Sequence, residues 1–215
     1  MEKYNVIQKV SETGIVAIVR GTKPEEAVNI ANALYEGGIR AIEVTCNTKG
    51  YLGMIEALNA AVGDRMAIGA GTVLTTAAAQ LVIDAGAKFI LAPNLDPEVV
   101  QVVHQCGKLM IPGVTTPSEI VQAARLGVDI VKLFPAGALG PKYLKDVRGP
   151  LNNIAIMPVG GINLNNINEF VKAGAYAFGV GGELVDKAAI EAKEYEVLTE
   201  KAKAFITTYR QAKNV

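Results

Sequence analysis

A single (β/α)8 barrel of the TIM type, one α/β domain over residues 1–215, is the fold class this sequence predicts, and three observations carry it. Eight apolar strand-like runs recur along the chain, glycines punctuate them at a nearly constant interval, and polar residues collect where the runs end. The runs are apolar enough to be covered on both faces, as parallel strands flanked by helices are. Gly38, Gly63, Gly86, Gly107, Gly127, Gly149 and Gly174 lie 25, 23, 21, 20, 22 and 25 residues apart. Each interval fits one strand plus one helix.

The elements follow in order. Glu2 to Glu12 reads as a helix that caps the bottom of the barrel. The strand runs are Gly14 to Val19, Ala41 to Cys46, Met66 to Thr72, Phe89 to Ala92, Leu109 to Val114, Ile130 to Phe134, Ala155 to Val159 and Tyr176 to Val180. Helical patterns lie between them, among them Pro24 to Tyr35, Ala77 to Asp84, Pro97 to Gln105, Pro117 to Arg125 and Asn165 to Lys172. Several open with proline, whose missing N–H is harmless at the first helical position, and close at glycine. An open doubly wound sheet is the rival architecture, because alternation of strand and helix does not itself show closure. Arg20-Gly21-Thr22-Lys23-Pro24 stands where a dinucleotide-binding GxGxxG turn would follow the first strand. No composition shift or Gly/Ser/Pro linker divides the chain.

Composition restricts the ligands. Lys plus Arg and Asp plus Glu are both 21, so the formal net charge is zero and no basic field recruits nucleic acid or anionic lipid. No segment approaches the length of a membrane span, and the N-terminus lacks a long apolar core. A small-molecule substrate and a cytoplasmic protein are expected. Cys46 and Cys106 have no metal-type spacing and are most simply free thiols. The sole histidine, His104, falls late in a helical pattern, so a Ser-His-Asp triad or a histidine-rich metal site has no obvious donors.

Lys132 is the most informative residue. It interrupts the apolar run Val128-Asp129-Ile130-Val131-Lys132-Leu133-Phe134-Pro135. Alternation places it on one face with Ile130 and Phe134, where an ammonium is poorly solvated and its pKa falls. That environment makes a Schiff-base lysine; a structural ion pair or a lysine that snorkels to the strand end is the plainer alternative. In the second run, Ile42, Val44 and Cys46 share one face, and Glu43 and Thr45 share the other. Glu43 and Lys132 then point inward from even-numbered strands, which contribute to the same interior layers.

Polar residues should converge on one mouth at the strand C-terminal ends. The candidates are Arg20, Asn47, Thr72 behind Gly69-Ala70-Gly71, Pro93-Asn94 and Thr115-Thr116. Gly160-Gly161 and Gly181-Gly182, after the seventh and eighth strands, suit a phosphate cup built from backbone N–H groups, each leading toward a helix. Glycine pairs that end strands for steric reasons are the competing explanation.

Five motifs together carry a likeness: Ile42-Glu43-Val44-Thr45, Gly69-Ala70-Gly71-Thr72-Val73, Ile111-Pro112-Gly113-Val114-Thr115-Thr116-Pro117, Val131-Lys132-Leu133-Phe134-Pro135-Ala136 and Pro158-Val159-Gly160-Gly161-Ile162. In order and over nearly the whole chain, they resemble the bacterial 2-keto-3-deoxy-6-phosphogluconate / 4-hydroxy-2-oxoglutarate aldolases. The resemblance implies a class I, Schiff-base aldolase on a (β/α)8 barrel, a homotrimer with no cofactor and no metal. It would cleave 2-keto-3-deoxy-6-phosphogluconate reversibly to pyruvate and glyceraldehyde 3-phosphate, with 4-hydroxy-2-oxoglutarate as a smaller substrate. By that likeness Lys132 forms the Schiff base and Glu43 is the general acid/base. Thr72 with Gly71 holds the pyruvyl carboxylate, Phe134 walls the methyl side, and Pro93 and Arg20 belong to the substrate pocket. Gly160, Gly161, Gly181 and Gly182 hold the phosphate.

Three positions depart from the commonest family pattern. Asn47 stands where many members place arginine, Val159 where many have threonine and Gly182 where serine is frequent. Asparagine and valine at these places look more like the 2-keto-3-deoxy-6-phosphogalactonate aldolases. Met157 shares the strand phase of Val159, and both are expected to point into the pocket. A phosphosugar isomerase or epimerase, using an acid/base pair without a covalent amine, is a second enzyme reading. A non-catalytic metabolite-binding or scaffold barrel is a third.

Overall fold

Side-chain alternation divides each strand between two cores. The structure is a computed structural model and describes residues 2–213. Nine strands follow the expected runs: β1 (Ile15–Val19), β2 (Ala41–Thr45), β3 (Ala67–Gly71), β4 (Phe89–Leu91), β5 (Leu109–Ile111), β6 (Gly113–Val114), β7 (Ile130–Leu133), β8 (Ala155–Pro158) and β9 (Phe178–Val180). They form a six-stranded sheet in the order β5-β4-β3-β2-β1-β9 and a three-stranded sheet β6-β7-β8, all pairs parallel. Neighbours in space are neighbours in sequence except where β9 returns beside β1, and the order does not reverse as a doubly wound sheet requires. The result is an α/β fold with a parallel half-barrel.

The fifth expected strand is broken in two at Pro112, which has no N–H to give to a ladder. Its carbonyl still accepts from the Lys132 N–H at 2.8 Å, so the chain runs on from the larger sheet into the smaller. At the other side Val159 forms a parallel bridge with Gly179.

Val16, Ile18, Ala41, Ala67, Phe89, Leu91, Leu109, Ile111, Ile130, Met157, Val159 and Ala177 pack into one cluster. Ile15, Ala17, Val19, Ile42, Val44, Ile68, Ala70, Val131, Leu133, Ile156 and Phe178 belong to the other, against the helices. The inner cluster has room for a large ring only because β3 carries Gly69. A Cβ there would stand 2.5 Å from the Phe89 ring.

Helix α1 (Glu2–Thr13) contributes Val6 and Val10 to the inner cluster, at the end where the strands begin. Its position is fixed by ion pairs of Lys3 with Asp129 (3.0 Å) and of Glu2 with Lys108 (2.5 Å), the residues before β7 and β5. The expected cap is therefore in place, one residue longer than the sequence suggested. Between the strands lie α2 (Ala27–Glu36), α3 (Tyr51–Val62), α4 (Thr76–Asp84), α5 (Pro97–Gln105), α6 (Pro117–Arg125), α7 (Ala136–Arg148), α8 (Ile167–Lys172) and α9 (Lys187–Glu191). Pro97 and Pro117 begin their helices, behind the capping side chains of Asp96 and Thr116.

Two helical expectations shift. Pro24–Glu26 is a 3-10 turn ahead of α2. The helix expected at Asn165 starts at Ile167, because Asn163 and Asn166 turn their side chains onto the N–H groups of Asn165, Asn166 and Asn163. Helix α10 (Tyr195–Lys213) covers the seam of β9 and β1, with the Tyr209 hydroxyl donating to the Tyr176 carbonyl at 3.0 Å. No helix among the described residues is long and apolar enough to cross a membrane.

Candidate active site

The register of β7 fixes the lysine. Lys132 lies opposite Gly113 of β6 and Met157 of β8, and its side chain is 5% exposed. Burial pushes its pKa down from the ordinary lysine value; the Arg20 guanidinium reinforces that shift and the Glu43 carboxylate opposes it. The amine stands 5.0 Å from the centre of the Phe134 ring.

Glu43, on β2, is 1% exposed. Burial pushes its carboxyl above the usual range, against the pull of Lys132 and Arg20. Its Oε2 has no hydrogen-bond partner among the described residues, and no direct ion pair within 4.0 Å joins it to Lys132. Burial acts on both groups in the same sense, favouring the neutral amine and the neutral carboxyl, while the attraction between their charges opposes it. Such a pair can add a nucleophile to a carbonyl and move a proton.

Gly71 makes the arrangement sterically possible. A Cβ at this position would lie 2.7 Å from Glu43 Cδ and closer still to Oε1. The next residue, Thr72, has φ +60°. A β-branched side chain in this left-handed region costs roughly 1–2 kcal/mol, a strain that clusters at functional sites.

A cavity of about 550 Å³ opens over the strand C-terminal ends. Lys132 and Phe134 line it with Arg20, Asn47, Thr72, Pro93, Val159, Gly160, Gly161, Gly181 and Gly182. Eleven of the thirteen residues expected from sequence thus line one cavity. Glu43 and Gly71 do not reach it; both are buried, Glu43 within β2 and Gly71 at the end of β3. Met157 is fully buried and also lies below the cavity, so only Val159 of that pair reaches it.

Other polar strand-end residues serve as braces. The Thr45 and Thr48 hydroxyls, 3.0 Å apart, tie the end of β2 to the Val19 carbonyl and the Gly21 N–H. The Thr115 hydroxyl donates to the Phe134 carbonyl at 2.8 Å, and Thr116 caps α6 with Glu119. Cys46, near the rim, has its thiol pushed up to about 11 by burial and by Glu43, so it stays protonated.

The two glycine pairs differ. Gly160 and Gly161 have φ +86° and +75°, and a Cβ on Gly161 would stand 2.9 Å from the Gly137 Cα. The backbone demands glycine there whatever the ligand. Gly182 has no positive φ, and a Cβ on it would meet nothing within 4 Å. Among the described residues, the N–H groups of Gly161 and Gly182 have no acceptor. Sequence reasoning missed Glu183 and Lys187, which also line the mouth. Exposed charges in the turn after β9 and at the first residue of α9 carry no periodic signal, so only the fold brings them to the site.

Known proteins resemble this chain over most of its length. The model of the family described as aldolase, KDPG and KHG aldolase, matches residues 6–201. A probable 2-dehydro-3-deoxy-6-phosphogalactonate aldolase of Rhizobium meliloti is 37% identical over 174 residues, 80% of this chain and 82% of that protein. The 2-dehydro-3-deoxy-6-phosphogalactonate aldolase of Escherichia coli is 32% identical over 199 residues, 92% and 95% of the two chains. Among solved structures, the KDPG aldolase of Legionella pneumophila, with pyruvate captured at low pH as a covalent carbinolamine intermediate, superposes with a TM-score of 0.86 at 30% identity, covering 92% of this chain and 96% of the other.

Proposed function

The chain belongs to the KDPG and KHG aldolase family of carbon–carbon lyases, and from that premise we propose that it cleaves a 2-keto-3-deoxy-6-phosphohexonate to pyruvate and glyceraldehyde 3-phosphate through an iminium on Lys132. The observation that carries this reading is the buried lysine at the cavity wall, its amine driven toward neutrality, with Glu43 behind it. The neutral amine adds to the C2 carbonyl, and loss of water from the carbinolamine gives the iminium. Removal of the C4 hydroxyl proton breaks the C3–C4 bond; the aldehyde leaves and the electron pair passes into the iminium as an enamine. Protonation at C3 and hydrolysis release pyruvate and the amine.

No ion pair within 4.0 Å joins Glu43 to Lys132, so Glu43 would shuttle these protons through a bridging water. Thr72 would hold the carboxylate from the cavity wall, while Gly71, which does not reach the cavity, would act by leaving room for Glu43; Arg20 and Asn47 would stand at the rim and Pro93 and Phe134 as walls. The glycines of the last two strand ends would receive the phosphate. Val159 and Asn47, with the two phosphogalactonate relatives, favour acceptance of the galactonate epimer. 4-Hydroxy-2-oxoglutarate is a smaller substrate of the same chemistry. The proposal extends to one domain whose strands close as a (β/α)8 barrel, with β5 and β6 counted as one, and to a cytoplasmic homotrimer.

Borohydride reduction in the presence of pyruvate, followed by peptide mass spectrometry, tests the mechanism. The expected result is a reduced pyruvyl adduct on Lys132. An adduct on another lysine with Lys132 unmodified would overturn it.

A further inference from the structure

Lys187 is the cation at the cavity mouth that the proposed chemistry does not use. It follows the turn after β9, yet its Nζ lies 3.4 Å from the place a Cβ on Gly21 would occupy. The side chain therefore arches from the end of β9 across to the end of β1, beside Arg20, and lines the same cavity as Gly161 and Gly182.

Nothing nearby neutralises it. Asp186, its neighbour, is engaged with the N–H groups of Ala188 and Ala189 (2.9 and 3.2 Å) and with the Lys201 amine at 2.6 Å. Among the described residues no carboxylate lies within 4.0 Å of the Lys187 amine. A lysine left unpaired over a cavity mouth is a mobile donor for an anion.

The glycine turns at this end supply backbone N–H groups and no side-chain donor. Gly182 has open space around it, so the fold does not impose that lack. Glu183, on the same rim, disfavours an anion. A dianion seated here needs a cation on the β9 side of the mouth to offset that carboxylate.

We propose that Lys187 is the residue that selects phosphorylated substrates: its amine donates to the distal phosphate and closes the side of the cup opposite Gly160 and Gly161. The inference rests on the phosphorylated keto acid proposed above and names the side chain that distinguishes it from its dephospho counterpart.

The test is kcat/KM for a 2-keto-3-deoxy-6-phosphohexonate and for its dephospho form, on wild type, Lys187→Ala, Lys187→Arg and the double variant Lys187→Ala/Gly182→Ser. Loss of one charge-assisted hydrogen bond should shrink the phosphorylated-to-dephospho ratio by roughly 10- to 100-fold in Lys187→Ala. The loss should fall mainly on KM, and added salt should shrink the wild-type ratio as well. Arginine should restore most of it, and the serine hydroxyl, which has room, should restore part. A ratio unchanged in Lys187→Ala, or not restored by Lys187→Arg, while wild type prefers the phosphorylated form, would overturn the inference and leave the aldolase reading intact. Equal cleavage of both forms by wild type would overturn the phosphate assignment itself.

Discussion

Gly71→Ala should slow catalysis without unfolding the protein, because its single methyl group falls on the carboxyl of Glu43. The new Cβ would stand 2.7 Å from Glu43 Cδ, whereas ordinary contact begins near 3.4 Å, so the carboxyl must retreat by at least about 0.7 Å. Misplacement of a reacting group on the scale of 1 Å costs about 10²-fold, so kcat should fall by roughly 10- to 100-fold. Gly71 does not have positive φ, so alanine fits the backbone, and its lower unfolded-state entropy offsets part of the crowding. Steady-state kinetics, with a thermal melt of the same samples, reads both effects. The decisive measurement is the double variant: with Glu43→Gln already present, the Gly71 substitution should add much less than it does alone, since both act through one carboxyl. Wild-type kcat in Gly71→Ala, or full additivity with Glu43→Gln, would refute a role for Gly71 in placing Glu43.

Two further predictions follow from the same geometry. Val159→Thr puts a hydroxyl at the cavity in place of a methyl; one added hydrogen bond is worth about 1–3 kcal/mol in discrimination, so the kcat/KM ratio of the two C4 epimers should move toward the phosphogluconate form by roughly 10- to 100-fold, and an unchanged ratio would remove Val159 from epimer choice. The Lys132→Met/Glu43→Gln variant should melt above wild type at neutral pH, by about 2–4 °C for each kcal/mol of relieved charge burial. The sign comes from both shifts. The raised Glu43 pKa means that native stability is lost as pH rises above the ordinary value of 4.5, and the lowered Lys132 pKa means that it is regained as pH climbs toward 10.5. The margin over wild type should therefore be widest between those limits and narrow toward each; a margin that does not vary with pH would contradict the burial argument.

What sequence could and could not foresee divides along physical lines. Strand positions were legible because alternation is a local pattern, and the same alternation placed Lys132 and Glu43 on the inner face. Depth was not legible: Met157 and Val159 share a phase, but two residues of rise separate a packed side chain from one at the cavity. Nor could pattern distinguish the two glycine pairs. Gly160 and Gly161 are glycines because their φ values and the approach of Gly137 exclude a side chain, so their presence says little about ligands. Gly182 has neither constraint, which makes it the stronger argument for an anion approaching the backbone. Thr72 reverses the case: a β-branched residue holds a left-handed conformation where glycine would sit without strain. Strain kept at a cavity wall, where the side chain itself meets the ligand space, argues for the hydroxyl at that point. The site is thus marked where residue type and backbone need disagree, and reading that disagreement requires the dihedral angles.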